Sequence, residues 1–345
     1  MLSVDRVKIG IIGCGHIGQR HAQKTLQSKN AHLEAICDVN ATTLSLCKKM
    51  FKVKKAYKDF SFLLNDNDIQ AVIIAVPNNK HFEITQQALK QGKHVLCEKP
   101  IALNLDEALK MKELASQYQK LLAIGFVYRY DLGINEVKKI ISQGLIGEIY
   151  HIYASFKSTK KKPQQKWFAH KNEAGGGVMI DRGVHFLDVI HFCVENINYS
   201  SVFGALHSEY SKLLDNSNDV ENYATALFRC SNGLTISMEG AWEYYGDNEE
   251  YIDFYGVRGG VRLFLNGRYI FIDGQSNQTK EYICNDAETD MYLLQIEDFC
   301  QSIKTGKPCR NDINKTIHSQ YAVEFFYKSC ESRVELKIGV SQMCR

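Results

Sequence analysis

Three clusters of residues carry types and spacings suited to chemistry. Gly13-Cys14-Gly15-His16-Ile17-Gly18 is a G-x-G-x-x-G turn, in which bare main chain can approach a pyrophosphate. Glu98-Lys99-Pro100 offers a lysine whose backbone the following proline biases away from helix. Gly175-Gly176-Gly177 leads into Asp181-Arg182-Gly183-Val184-His185, a carboxylate and an imidazole one helical turn apart and so on one face. Oxidising an alcohol needs a hydride acceptor, a base for the hydroxyl proton and groups that orient the carbon. A dinucleotide seat followed by Lys99, Asp181 and His185 offers all three, so the set points to hydride transfer. Histidine carries protons near neutral pH, which makes His185 the general base for oxidation and the acid for reduction. Asp181 would accept a hydrogen bond from a substrate hydroxyl. Asp188, one turn further on, reads as a structural partner. Three ligands on one helix face seldom converge on one ion, so no metal is expected.

The elements that must position these groups follow from periodicity. Residues 7–12 form an apolar run typical of a buried parallel strand. Strands are expected at 32–37, 70–76, 94–97 and 121–126, and helices at 18–28, 40–51, 81–91 and 105–119. This alternation is an α/β, doubly wound parallel sheet. The pattern changes after residue 126. A helix at 134–143, a strand at 148–156 and a helix at 177–193 precede a β-rich block at 200–273. Hairpin signals stand at Ser231-Asn232-Gly233 and Asn266-Gly267. Two amphipathic helices, 290–304 and 312–330, close the chain. The division expected is a nucleotide-binding domain over 1–126 and an α+β domain with a mostly antiparallel sheet over 127–345.

Within the first cluster each glycine has a reason. Gly13 permits the tight turn, Gly15 admits the pyrophosphate, and Gly18 lets helix and strand pack closely. Asp38 ends the second strand about 20 positions later, where an acid can bond the ribose hydroxyls of NAD and repel the 2′-phosphate of NADP. NAD rather than NADP is therefore the expected cofactor.

At these residues the chain resembles the Gfo/Idh/MocA oxidoreductase family over nearly its whole length. Ile74-Ala75-Val76-Pro77-Asn78 with His81, and Gly92 through Pro100, are similar to its second fingerprint; Gly175–Gly177 with Asp181, Gly183, His185 and Asp188 are similar to its third. The resemblance implies a Rossmann domain followed by an open-faced α+β domain. It implies NAD(P)-dependent chemistry at a carbinol carbon of a sugar, cyclitol or related polyol, and a homodimer or homotetramer formed through the large sheet. Lys99, Asp181 and His185 match the family's catalytic and substrate-binding trio. Cofactor contacts carry over to Gly13, Gly15, His16, Ile17, Gly18, Asp38, Pro77, Asn78, His81, Glu98 and Lys99. Many members place Trp-Arg before the triple glycine, whereas this chain has Trp167-Phe168. Trp167 stays a candidate contact, and the arginine's part falls to Arg129 or Arg182. An NAD-using glycoside hydrolase and a non-catalytic dinucleotide-binding regulator are the competing readings; the intact Lys99, Asp181 and His185 weigh against the second.

Composition narrows the classes. The net charge of +3 over 345 residues gives no polyanion-binding signature, so nucleic acid is not an expected partner. No apolar run reaches membrane-span length, and no export signal opens the sequence. The 11 cysteines are scattered without a CxxC pair, which reads as reduced thiols and a cytoplasmic protein. His21 and the other isolated histidines carry no spacing signal. The loop Lys157–Lys162 reads as a solvated segment, or as a site for an anionic or nucleotide-linked sugar.

Asp38 makes the first testable point. Asp38→Ser should raise use of NADP(H) relative to NAD(H) in paired titrations. A wild-type protein that binds NADP(H) more tightly than NAD(H) would remove Asp38 from this role.

Overall fold

The run Val-Lys-Ile-Gly-Ile-Ile forms β1 (Val7–Ile12), buried at every position except Lys8. In the computed structural model, which describes residues 6–159, 166–208, 219–284 and 290–339, it lies at the centre of a six-stranded parallel sheet. Its neighbours are β2 (Ala31–Cys37), β3 (Lys55–Tyr57), β4 (Ala71–Ile74), β5 (His94–Cys97) and β6 (Leu122–Ile124), in the order β3-β2-β1-β4-β5-β6. The order reverses beside β1, and at such a switch point open α/β sheets bind ligands at the carboxyl ends of their strands. The crossovers are α1 (His16–Gln27), α2 (Ala41–Phe51), α3 (Phe60–Leu64), α4 (His81–Lys90) and α5 (Leu105–Gln117). β3 and α3 were not expected from the sequence, because such short elements give periodicity nothing to repeat.

Contacts divide the chain into two units, Met1–Val127 with Glu288–Ile317, and Tyr128–Ala287 with His318–Arg345. The change of pattern near residue 126 is thus the first crossing. The return of 288–317 differs from the expected division, which gave all of 127–345 to the second domain. The returning segment docks through polar groups that hydropathy does not reveal. Asp290 receives Lys24 at 2.9 Å, and the guanidinium of Arg20 lies 4.2 Å from the Tyr292 ring centroid. Glu297 accepts from the Ser28 hydroxyl at 2.5 Å, from the Lys29 N–H at 2.8 Å and from the Asn30 amide. Ile296, Phe299 and Cys300 join the core of β1 and β2. Asn311 donates its side-chain amide to the carbonyls of Ile124 and Phe126 at 2.8 and 3.1 Å, continuing past the edge at β6.

The second unit begins with α6 (Leu132–Ser142) and is built on a nine-stranded sheet. Its strands are β7 (Ile149–Lys157), β8 (Tyr199–His207), β9 (Tyr223–Cys230), β10 (Thr235–Ala241), β11 (Glu249–Gly256), β12 (Gly259–Phe264), β13 (Arg268–Asp273), β14 (Gln278–Ile283) and β15 (Leu336–Lys337). Only β7 and β10 pair in parallel; the remaining pairs are antiparallel. β14 extends the block beyond the expected 273 as an exposed edge with no apolar alternation to announce it. One sheet face is apolar, with Ile152, Phe156, Phe228, Met238 and Phe254 buried. By strand alternation the other face carries Tyr153, Ser155, Lys157, Ser237 and Glu239. The helices are α7 (Lys171–Ala174), α8 (Val184–Cys193), α9 (Met291–Thr305, in the first unit) and α10 (Ile313–Ser332). The single helix expected over 177–193 is instead a π turn, Met179–Gly183, followed by α8.

The docking of α9 yields a prediction. Glu297→Ala leaves the donors of Ser28, Lys29 and Asn30 without this acceptor. It should cost about 1–3 kcal/mol in chemical denaturation, with NADH affinity unchanged. An unaltered denaturation midpoint would show that Glu297 does not fasten the returning segment.

Candidate functional site

In the first unit the glycine turn has the shape its sequence requires. Gly13 has φ +97°, and a Cβ there would lie 2.1 Å from the Ala75 carbonyl oxygen. A Cβ on Gly18 would lie 1.8 Å from the Gly13 oxygen, so the start of α1 sits directly against the turn. Around Gly15 a Cβ would meet nothing within 4 Å. Gly15 and His16 are exposed, Ile17 is half-buried and Gly18 is buried. No side chain caps the start of α1, where the positive end of the helix dipole favours an anion. The open cradle at Gly15 fits a pyrophosphate.

Asp38 is fixed beside this cradle. Oδ2 accepts the Cys14 N–H and Oδ1 the Asn40 N–H, both at 2.7 Å. Each carboxylate oxygen has a second acceptor direction, which suits it to ribose hydroxyls.

At the ends of β4 and β5 the structure separates holding residues from exposed ones. Pro77 precedes the helical turn Asn78–Lys80, whose first residue is buried. His81 was expected to touch the cofactor, but it is buried, with Nδ1 2.7 Å from the Pro100 oxygen and Nε2 3.1 Å from the Val76 oxygen. The ring lies between two loops, and in its neutral form it donates to one of these carbonyls and only touches the other. Burial lowers its pKa. Glu98 is likewise a holding residue. Its Oε1 lies 2.7 Å from His21 Nε2, and Oε2 accepts the Lys99 N–H at 3.2 Å. A Cβ on Gly125 would stand 2.6 Å from Glu98 Oε2, so a glycine is needed behind it. Lys99 follows, half-buried, at the carboxyl end of β5, and its peptide to Pro100 is cis.

In the second unit Asp181, Arg182 and His185 are half-buried within a stretch that is otherwise mostly buried. Asp181 Oδ2 accepts the indole N–H of Trp242 at 2.9 Å. Arg182 donates to the Phe156 carbonyl at 2.9 Å and pairs with Glu250 at 2.7 Å. The His185 ring meets Tyr128 edge to face at 5.1 Å. Its chain neighbour Arg129 grips Asp188 through Nε and Nη2 at 2.7–3.1 Å, both residues buried. Arg129, expected near the cofactor, is thus committed to Asp188, whose carboxyl pKa burial raises and Arg129 lowers, with burial prevailing. Trp167 stacks on Phe168 with centroids 3.8 Å apart.

The glycine run is packed against Glu221, a residue with no motif around it. Glu221 is buried and accepts the N–H groups of Gly177 and Met179 at 2.8 and 3.0 Å and the Tyr327 hydroxyl at 2.8 Å. Burial pushes its carboxyl up from the ordinary range, against these donors. Trp242 had one usable signal, as one of two tryptophans in the chain. Of the basic loop, Lys160–Lys162 lie outside the described residues. Lys157 is tied to Glu239 and Glu249 at 3.0 and 3.2 Å.

Comparison with known proteins agrees with this architecture. A family model described as "Oxidoreductase family, NAD-binding Rossmann fold" matches residues 7–126, and the "GFO/IDH/MocA C-terminal domain" matches 134–262. The myo-inositol 2-dehydrogenase of Thermotoga maritima is 27% identical over 308 residues, 88% of this chain and 90% of that protein. The D-glucoside 3-dehydrogenase of Escherichia coli K12 is 26% identical across 96% of this chain and 97% of its own. The glucose-6-phosphate 3-dehydrogenase of Bacillus subtilis is 31% identical over 67% of this chain and 66% of its own. A levoglucosan dehydrogenase, solved with NADH and levoglucosan, superposes with a TM-score of 0.88 at 19% identity, over 97% of this chain and 100% of that one, and so shares the fold.

The glycine geometry generates a paired test. Gly15→Ala should leave the melting temperature unchanged and weaken NADH binding, because its Cβ enters open cradle. Gly18→Ala should cost about 3 kcal/mol of stability, because its Cβ meets backbone. Equal melting temperatures for the two variants would refute this division of labour.

Proposed function

The chain belongs to the Gfo/Idh/MocA oxidoreductase family, and from that premise we propose that it transfers a hydride between NAD and a secondary carbinol carbon of a sugar or cyclitol. It is an NAD-dependent enzyme acting on CH–OH groups. The observation that carries the reading is the division of exposure. In the first unit the cradle at Gly15 is open and Lys99 is half-exposed, and in the second Asp181 and His185 are half-exposed, while Glu98, Arg129, Asp188 and Glu221 are buried and paired. NAD, when bound, supplies the hydride acceptor. Gly13, Gly15, His16, Ile17 and Gly18 hold its pyrophosphate, Asp38 its ribose, and Pro77 and Asn78 line the strand ends.

In the direction of oxidation, Lys99 donates to the reacting hydroxyl and stabilises the oxygen as its proton leaves. His185 takes that proton, and Asp181 accepts from a neighbouring hydroxyl to fix the ring. The named relatives act on inositol, on glucosides and on glucose 6-phosphate, which supports a neutral cyclic polyol first and an anionic sugar second.

Copies of the chain associate through the polar face of the large sheet in this reading. Phe203 is 47% and Tyr255 37% exposed on that face, which also carries Lys157 paired with the half-buried Glu239 and Glu249. A reducing cytoplasm fits the ten described cysteines, all free. Among the described residues no helix is long and apolar enough to cross a membrane.

A screen of cyclic polyols and sugars with NAD⁺, read by NADH absorbance, tests the reading, and no NADH formed with any of them would count against it. On the substrate found, Lys99→Ala and His185→Ala should each lower kcat by ~10²–10⁴-fold with NADH binding nearly intact. Their combined effect should fall short of the product if they serve one proton transfer. Asp181→Asn should chiefly raise KM. A His185→Ala enzyme with wild-type kcat would leave Lys99 as the proton acceptor.

A further inference from the structure

We propose that Glu221 and Tyr327 form a lock that sets the position of Asp181 and His185, making Glu221 a positioning residue for the reaction; this rests on the roles given to that pair above. The third sequence signature begins with three glycines, the residue type that loses most conformational freedom when ordered. A helical segment also opens with N–H groups that have no partner within it. Here three consecutive ones end on a single residue. Gly177 N–H reaches Glu221 Oε2 at 2.8 Å, Val178 N–H reaches the Glu221 carbonyl at 3.1 Å, and Met179 N–H reaches Oε1 at 3.0 Å. The Tyr327 hydroxyl donates to the same Oε1 at 2.8 Å, fixing the carboxylate from behind.

The glycines themselves answer to this lock. A Cβ on Gly176 would lie 2.1 Å from the Tyr327 oxygen, and one on Gly177 would lie 1.7 Å from the Glu221 carbonyl oxygen. Gly175 has φ +88°, turning the chain into the lock. The run is therefore shaped from inside the fold. From Gly177 the path to the chemistry is short. The Asp181 N–H bonds the Gly177 carbonyl at 3.0 Å, and the Asp181 carboxylate is fixed separately by Trp242. The π turn that carries Asp181 runs directly into α8, which carries His185. Moving the Glu221 end shifts both side chains, and a displacement near 1 Å can cost about 10²-fold in rate.

Glu221→Gln tests this, because it keeps the side-chain volume but places an amide NH₂ against an N–H donor. NADH affinity, kcat, KM and hydrogen exchange over residues 175–185 are measured together. The expected result is faster exchange there, kcat lowered ~10–100-fold and NADH affinity unchanged. Tyr327→Phe keeps the carboxylate and should shift the same readouts in the same direction by less; it carries the test alone if Glu221→Gln does not fold. A variant that melts earlier but retains wild-type kcat and KM well below its melting temperature overturns the proposal, since that is what a merely structural residue would do. Unchanged exchange over 175–185 also overturns it. A wild-type enzyme inactive on every polyol overturns the functional reading instead, and the exchange result then decides whether the lock exists.

Discussion

The first unit depends on an atom that is missing. With a Cβ on Gly18 only 1.8 Å from the Gly13 oxygen, α1 can begin where it does only because Gly18 has none. Everything on the buried side of α1 inherits that placement. His21, one turn further along, lies beside Glu98, and Glu98 in turn accepts the N–H of Lys99. Arg20 and Lys24, on the same helix, meet Tyr292 and Asp290 and so seat the returning segment. One close backbone approach thus sets the nucleotide cradle, the lysine just after β5 and the docking of α9.

The second unit solves the same problem with buried charge. Arg129 and Asp188 are almost wholly buried, and Glu221 is 3% exposed. A buried ion is costly unless its partners are well placed. Asp188 has a bidentate guanidinium and Glu221 has three donors, so both charges are matched. Their effect is directional: they fix α8 and the turn before it, leaving Asp181 and His185 half-exposed. Screening by salt acts weakly on buried groups, so this scaffold is insulated from the ionic strength that acts on the exposed lysines.

What was legible in the sequence has local causes. The glycine turn, the apolar parallel strands, Asp38 at the end of β2 and the change of pattern near residue 126 each follow from a few neighbouring residues. The parts not legible have partners far away in sequence. His21 and Glu98 are 77 positions apart, Arg129 and Asp188 are 59 apart, and Gly177 and Glu221 are 44 apart. His81 and Arg129 show the same limit from the other side. Their types suit ligand contact, yet their partners are carbonyls and a carboxylate of the protein itself. The π turn at Met179–Gly183 was hidden for another reason, because the α-helical spacing rule that pairs Asp181 with His185 contains no signal for a widened turn.

These constraints also explain how one backbone accommodates distant sequences. A levoglucosan dehydrogenase superposes at a TM-score of 0.88 with 19% identity, so the fold survives replacement of most side chains. Apolar cores tolerate such exchange if volume and pattern are kept. An absent Cβ facing backbone does not tolerate it, nor does a buried charge with a single matching partner. The positions that hold this fold are then few, and they lie behind the chemistry. Differences in substrate then rest with half-exposed side chains. In this chain Tyr128, edge to face against the His185 ring, and Arg182, next to Asp181 and paired with Glu250, are half-exposed side chains beside the proposed chemistry.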